Sequence, residues 1–187
     1  MKGYVYKSTG SWYVVKDEAG NWHNARIKGV FKIDDITSTN PIAVGDEVEL
    51  VLEDEKEKTA MITQIFERRN YINRQSPRAK HQHHIIASNL DQSILVATLK
   101  DPRTSQGFID LFLVAAEMFH VRPIIVFNKS DLYKKKEQEK YEHLREMYEE
   151  IGYEVHLVST KEETGIEELI EVLRNKITNG CVCCEVD

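Results

Sequence analysis

The sequence predicts two structural classes in one chain, a small closed β-barrel followed by a parallel α/β sheet. Five short strand patterns, separated by turns that contain Gly or Asn, fall within the first 66 of 187 residues. From residue 91 onward, apolar strand patterns alternate with amphipathic helix patterns, which is typical of a parallel sheet. A basic segment lies between these regions. We therefore expect a barrel domain at 1–68, a basic linker at 69–90, a partial α/β domain at 91–177 and a divergent cysteine-containing tail at 178–187.

The barrel strands are predicted at 4–7, 12–16, 22–28, 46–52 and 59–66. Closure of a barrel removes the edges that a small sheet would otherwise expose, and the five-stranded barrel that binds oligonucleotides is the OB-fold. Aromatic side chains could stack on bases there, although some of them must fill the core. The candidates are Tyr4, Tyr6, Trp12, Tyr13, Trp22 and Phe31.

The segment 67–84 carries five basic residues and one acidic residue, although the whole chain has a net charge of −6. Tyr71 lies among these cations, so the segment could contact RNA phosphates and stack on a base. A solvated linker without a ligand is the alternative. The candidate RNA-binding residues are Arg68, Arg69, Arg74, Arg78 and Lys80. We expect no metal site at His81, His83 and His84, because no Cys or carboxylate lies at ligand spacing.

In the α/β region we predict strands at 93–99, 123–127 and 153–158, and helices at 109–119, 134–151 and 166–177. The helix at 134–151 repeats apolar residues at three- and four-residue spacing, so its many Lys and Glu residues form a solvated face. Thr164 is the predicted N-cap of the last helix, with Glu167 completing a capping box.

Polar residues follow two of these strands, as Asn128-Lys129-Ser130-Asp131 and as Ser159-Thr160-Lys161. Open α/β sheets bind ligands at the carboxyl ends of their strands. A carboxylate such as Asp131 can accept two hydrogen bonds from the ring N–H and amino group of guanine, a donor pair that adenine lacks. Asn128 could read the base or tie neighbouring loops together, and the alkyl stem of Lys129 could cover the ring face. An ordinary strand-to-helix turn is the alternative.

The order of these parts resembles the circularly permuted GTPases that depend on the small ribosomal subunit, the RsgA, YjeQ or EngC type. The motifs that carry the resemblance are 40–46 (NPIAVGD), 86–92 (IASNLDQ), 109–110 (ID), 128–131 (NKSD) and 159–161 (STK). The resemblance covers residues 1 to about 177. It implies an OB-fold followed by a permuted P-loop-type GTPase domain, in which guanine recognition precedes the phosphate loop.

The resemblance also implies a function, a ribosome biogenesis GTPase that acts in late maturation of the 30S subunit. Such a protein would bind GTP or GDP with Mg²⁺, and would contact 16S rRNA through its OB-fold. The guanine-binding residues that the resemblance implies are Asn128, Lys129, Asp131, Ser159, Thr160 and Lys161. A non-catalytic RNA- or ribosome-binding fragment is the alternative.

After residue 177 the sequence departs from the family. The family continues into a phosphate loop of the form Gly-x-x-x-x-Gly-Lys-Ser, switch segments and a zinc-binding domain, whereas none of the nine glycines here precedes a lysine. That loop cradles the β- and γ-phosphates and holds Mg²⁺, so we expect no catalytic residue, no Mg²⁺ or zinc site and no hydrolysis by this chain alone. Because the phosphates contribute most of the affinity, we expect about millimolar binding of guanine nucleotides.

The cysteines Cys181, Cys183 and Cys184 all lie in the last seven residues. Three thiols are too few for a structural tetrahedral zinc site, so we expect an unstructured end that reflects a truncated or frameshifted reading frame. Free cysteines and the lack of an apolar signal or membrane segment predict a cytoplasmic protein without membrane contact. We expect a monomer whose incomplete sheet could self-associate.

Overall fold

A computed structural model of the chain describes residues 1–27, 41–54, 58–75 and 83–182. The chain divides into two compact units, Met1–Asn89 and Leu90–Asp187. The strands of the first unit are β1 (Lys2–Thr9), β2 (Trp12–Asp17), β3 (Trp22–Ile27), β4 (Glu47–Asp54), β5 (Thr59–Ile65), β6 (Tyr71–Gln75) and β7 (His83–Ser88). The second unit contains β8 (Gln92–Thr98), α1 (Gln106–Met118), β9 (Arg122–Asn128), α2 (Lys135–Ile151), β10 (Glu154–Leu157), α3 (Ile166–Leu173) and β11 (Thr178–Val182).

The first five strands form a closed barrel in the order β1-β2-β3-β5-β4, which confirms the predicted barrel. Neighbouring strands are antiparallel except β3 and β5, which are parallel. Side chains alternate between the interior and the surface along each strand, as the two-residue period of a strand requires. The interior is filled by Val5, Tyr13, Val15, Ala25, Ile42, Val48, Leu50, Ala60 and Ile62.

The basic segment after the barrel forms β6 and β7, an antiparallel pair, where the sequence predicts a linker. A buried polar network holds residues at the two ends of this strand pair. The carboxylate of Asp46 is fully buried and accepts hydrogen bonds from Arg68 Nε at 2.7 Å, Arg68 Nη2 at 2.6 Å and Ser88 Oγ at 2.6 Å. A buried carboxylate must be paired, so Asp46 binds one residue on each side of this segment. Gly45 lies beside it at φ +93°, where a Cβ would approach the Ser88 carbonyl oxygen to 2.0 Å.

The second unit contains a parallel sheet in the order β10-β9-β8-β11, with helices between the strands. The central strand β9 is buried on both faces, because Ile125 and Phe127 pack with α1 and α2 whereas Ile124 and Val126 pack against α3. The predicted parallel α/β sheet is therefore present. No helix in the described ranges is long and apolar enough to cross a bilayer.

Two local predictions in this unit differ from the structure. The last helix ends at Leu173, and Thr178–Val182 forms the edge strand β11 instead of an unstructured tail. The sequence TNGCV has weak strand propensity, so its pairing comes from tertiary contacts: Gln92 Nε2 donates to Thr178 Oγ1 at 3.1 Å, and Asp91 Oδ2 accepts the Ile177 N–H at 2.8 Å. Cys181 is half-buried against the core, whereas Cys183 and Cys184 lie outside the described residues.

The N-cap of α3 is Gly165, at φ 70°, rather than the predicted Thr164. Thr164 is instead paired through its backbone with Ser159, at 3.0 and 3.1 Å. A Cβ on residue 165 would lie 2.4 Å from the Leu157 carbonyl oxygen, so the close approach of the two segments requires glycine there.

Candidate functional site

Three loops meet at the carboxyl edge of the parallel sheet. Strands β8 and β9 end in register at Thr98 and Asn128, and Leu157 at the end of β10 pairs with Phe127. The loops that follow these strands span residues 99–105, 129–134 and 158–165. This is the edge at which the sequence places the guanine-recognition residues.

Asn128 connects two of these loops. Its Oδ1 accepts the N–H of Lys129 at 2.7 Å and the N–H of Thr160 at 3.2 Å. The backbone adds a second connection, since the Ser130 N–H donates to the Val158 carbonyl at 3.1 Å. Of the two roles predicted for Asn128, the structure shows the loop-tying one.

Asp131 is held in a fixed orientation between the same loops. Its side chain is 7% exposed, and its Oδ1 accepts a 2.7 Å hydrogen bond from the buried Ser159 hydroxyl. The Ser159 oxygen in turn accepts the Glu162 N–H at 3.2 Å. The exposed ammonium of Lys161 lies 4.0 Å from Asp131 Oδ2. The structure thus brings a preoriented carboxylate, a hydroxyl and a cation together at the sheet edge.

The loop 99–105 belongs to this edge, although none of its residues is among the site residues predicted from the sequence. The Lys129 ammonium donates to the Asp101 carbonyl, and this contact directs the lysine stem toward that loop. Tyr133 is nearly buried; its hydroxyl accepts the Leu99 N–H at 3.2 Å and donates to the Asn128 carbonyl at 3.0 Å. Burial raises the pKa of Tyr133 to about 12, so the hydroxyl stays a donor. The sequence contains a signal for this loop, because it follows a predicted strand of the same parallel sheet and therefore lies at the same carboxyl edge.

Two of the candidate RNA-binding arginines make internal contacts. The Arg68 side chain is 12% exposed and its guanidinium is bonded to Asp46 and to the Pro41 carbonyl at 2.9 Å. Arg69 Nη2 donates to the Asn89 carbonyl at 2.8 Å. Both cations therefore stabilise the first unit. The side chain of Arg74, and all of Arg78, Lys80 and His81, lie outside the described residues, as do the side chains of His83 and His84.

The outer face of the barrel carries an aromatic and basic cluster, which we call the barrel face: Tyr4, Tyr6, Lys16 and Trp22. Tyr4, Lys16 and Trp22 are cross-strand neighbours on β1, β2 and β3. The rings of Tyr6 and Trp22 make an edge contact at 4.9 Å, and Lys16 Nζ lies 5.4 Å from the Trp22 ring. The three aromatic side chains are 41–55% exposed, whereas Tyr13 is buried in the core and Phe31 lies outside the described residues.

Within the described ranges, no group of three or more His, Cys, Asp or Glu side chains is placed to hold a metal. The carboxylate at the sheet edge, Asp131, is already engaged by Ser159 and Lys161.

The sequence matches two family models. The model described as RsgA GTPase matches residues 65–181, and the model described as RsgA N-terminal domain matches residues 2–62. The GTPase match includes the first four residues of β11, so the likeness extends beyond residue 177.

Similar curated proteins are named small ribosomal subunit biogenesis GTPase RsgA. The protein of Cytophaga hutchinsonii is 49% identical over 178 residues, which are 95% of this chain and 58% of that protein. The protein of Flavobacterium psychrophilum is 48% identical over 179 residues, which are 95% of this chain and 55% of that protein. The chain thus spans just over half the length of these relatives.

Solved structures show the same architecture. YjeQ from Thermotoga maritima superposes with a TM-score of 0.81 at 31% identity, covering 98% of this chain and 60% of that one. YloQ, a circularly permuted GTPase, superposes with a TM-score of 0.76 at 28% identity and the same coverage. Sequence and structure agree, and the chain belongs to the RsgA GTPase family.

Proposed function

We propose that this chain provides the guanine-recognition and RNA-binding parts of a small ribosomal subunit biogenesis GTPase. The observation that carries the proposal is the joined pair of loops at the sheet edge, where Asn128 fixes the Thr160 backbone and Ser159 orients Asp131. These residues lie inside the segment that matches the RsgA GTPase family model. The partners would be a guanine nucleotide, the 30S subunit and its 16S rRNA.

The chemistry of the edge suits a guanine base. The Asp131 carboxylate would accept the ring N–H and the exocyclic amino group, and the Ser159 hydroxyl keeps that carboxylate in one orientation. The Lys129 stem, directed toward Asp101, would cover one face of the ring. Backbone N–H groups of the loop containing Thr160 and Lys161 would contact the guanine oxygen.

An Asp131→Asn substitution tests base recognition. The amide would keep an acceptor for the ring N–H but would offer a donor where guanine also has a donor, so guanosine affinity should fall at least about tenfold. Xanthosine has a carbonyl in place of the amino group and should bind the variant better than guanosine. NMR titration to millimolar nucleoside measures both affinities. Asp101→Asn is the matched control, since it lies at the same edge and keeps its backbone carbonyl. Unchanged guanosine binding by Asp131→Asn would remove Asp131 from the site.

The barrel face would bind RNA by stacking and by charge. Exposed aromatic rings beside a lysine suit unpaired bases and their phosphates. The double variant Tyr6→Ala/Trp22→Ala should weaken binding to 30S subunits by about 1–3 kcal/mol for each stacked base that is lost. Trp12→Ala is the matched control, because Trp12 is equally exposed but is not a member of the barrel face. Equal losses in the two variants would argue against this surface.

Hydrolysis of GTP is part of the relatives' name, and this chain covers 55–58% of those proteins. We therefore propose for this polypeptide the binding functions, and place hydrolysis with the whole protein. Turnover of GTP by this chain with and without 30S subunits measures the distinction directly.

A further inference from the structure

Four cations lie beside the carboxyl edge of the sheet in the second unit, and two of them belong to the loop 99–105 that borders the guanine-recognition residues. We call them the basic patch: Lys100 and Arg103 in the loop after β8, and Lys136 and Lys140 on α2. From the sequence alone, the charges of α2 are expected to form a solvated face. The structure places two of these charges, Lys136 and Lys140, next to the cations of the loop 99–105.

The geometry of α2 brings the patch together. Lys136 and Lys140 are one helical turn apart and share a face, and Met147 continues that face two turns further on. Met147 Sδ accepts a 3.7 Å hydrogen bond from the side chain of Gln106, the first residue of α1. This face of α2 is therefore turned toward the start of α1 and toward the loop 99–105, which carries the other two cations.

The patch differs from the other arginines of this unit, which are paired with glutamates. Arg122, Arg145 and Arg174 each lie within 2.7 Å of a glutamate oxygen. None of the four patch cations forms an ion pair in the part of the chain that the structure describes. One carboxylate lies close to the patch: Glu137 accepts the Lys134 N–H at 3.0 Å in the N-cap of α2 and also interacts with the charges of Lys100 and Lys136.

The surroundings add positive potential. Helix α1, whose N-cap is Ser105, starts beside the patch and has no acidic residue in its first turn, so its dipole is not offset there. The pKa of Lys140 is lowered, first by burial and then by the charges of Arg103 and Lys136. Like charges are thus held close together, and Glu137 is the carboxylate that partly offsets them.

We propose that the basic patch binds the phosphate backbone of RNA, as a second RNA contact separate from the barrel face. The patch contains no aromatic side chain, so it suits phosphates rather than bases and should bind without sequence preference. This inference rests on the proposed function, because ribosomal RNA is the polyanion that the proposed partner supplies. The unit as a whole is acidic, so the basic patch would attract RNA while the rest of the surface of this unit would repel it. The charge distribution would therefore orient the unit on RNA.

The test compares two variants that remove the same charge from the same unit. The patch variant is Arg103→Gln/Lys136→Gln/Lys140→Gln, and the control variant is Arg122→Gln/Arg174→Gln/Lys176→Gln. Each is titrated against protein-free 16S rRNA between about 50 and about 200 mM salt, and thermal unfolding verifies that both fold. Each lost phosphate contact removes about 0.7–0.9 from the slope of log K against log salt, so the patch variant should lose about 2. The control variant should keep the wild-type slope.

The outcomes separate this inference from the proposed function. A wild-type slope in the patch variant, or equal reductions in both variants, overturns the patch. Unchanged rRNA binding with weakened 30S binding also overturns it, because the patch would then contact a ribosomal protein. If the wild-type chain binds neither rRNA nor 30S subunits, the proposed RNA function fails as a whole.

Discussion

At the scale of single residues, Arg68 is an arginine of a basic segment that the structure buries in an ion pair with Asp46. Arg68 belongs to a basic run, and its neighbours in sequence suggest a cation that faces a ligand. In the structure its guanidinium donates two hydrogen bonds to the Asp46 carboxylate, from Nε at 2.7 Å and from Nη2 at 2.6 Å, and that carboxylate is 0% exposed. Such a pair costs desolvation to form, but either partner alone would leave an uncompensated charge.

An Arg68→Ala substitution should therefore destabilise the first unit by about 3–5 kcal/mol, because the buried Asp46 carboxylate would lose its cation and keep only hydrogen bonds such as that from Ser88. Urea unfolding followed by tryptophan fluorescence measures this, since both tryptophans, Trp12 and Trp22, lie in the barrel. The control is Arg26→Ala, which removes an exposed ion pair with Glu53 and should cost less than about 1 kcal/mol. Similar losses in the two variants would contradict the buried-pair account.

The pH dependence of the barrel should include a contribution from Asp17. The hydrogen bond from His23, with further bonds from Asn21, lowers the Asp17 pKa from 3.8 to about 2. A lowered pKa in the folded state means stabilisation that is complete above about pH 4 and is lost as the pH falls toward about 2. The difference in urea midpoint between wild type and Asp17→Asn should be constant from about pH 5 upward and should shrink below about pH 4. A difference that does not change down to about pH 2 would assign the effect to neutral hydrogen bonding.

At the scale of elements, β11 is the main addition to what the sequence predicts. It pairs in parallel with β8 over five residues and covers an edge that would otherwise be open. Asp91 and Gln92 bind its start through their side chains. Because Asn179 and Gly180 have low strand propensity, β11 forms through its pairing with β8.

Deletion of residues 178–187 should therefore lower the stability of the second unit. Circular dichroism at about 222 nm reports this unit, because the described helices α1, α2 and α3 all belong to it. The urea midpoint of that signal should fall, whereas the tryptophan signal of the barrel should keep its midpoint and serves as the internal reference. An unchanged helical transition would show that β11 adds no stability to the sheet.

The elements that sequence reasoning predicts well are those with a strong local pattern. The barrel strands alternate, the helix α2 repeats its apolar residues with helical spacing, and β9 is a continuous apolar run. The missed features depend on distant partners. The strands β6 and β7 depend on Asp46, and the loop 99–105 joins the site through Lys129 and Tyr133. No window of sequence around these residues contains the partner that decides their role.

At the scale of the whole molecule, the two units differ in how their sheets end. Each barrel strand is paired on both sides, whereas β10 and β11 are each paired on one side only within the described residues. Helix α1 also exposes an apolar stripe, because Leu111, Val114 and Met118 are 65–66% exposed at three- and four-residue spacing. Open edges and exposed apolar side chains lower the stability of a unit and favour association.

We therefore expect the second unit to unfold before the barrel. In urea, the circular dichroism transition at about 222 nm should precede the tryptophan transition, and amides of Ile124–Phe127 should exchange faster than those of β5. A concentration series separates the two causes, since association through the α1 stripe would raise protection in β9 as protein concentration rises, whereas intrinsic stability would not. If β9 is as protected as β5 at the lowest concentration and the two transitions coincide, the sheet with β11 in place is a complete folding unit. In that case its open edges cost it no stability relative to the closed barrel.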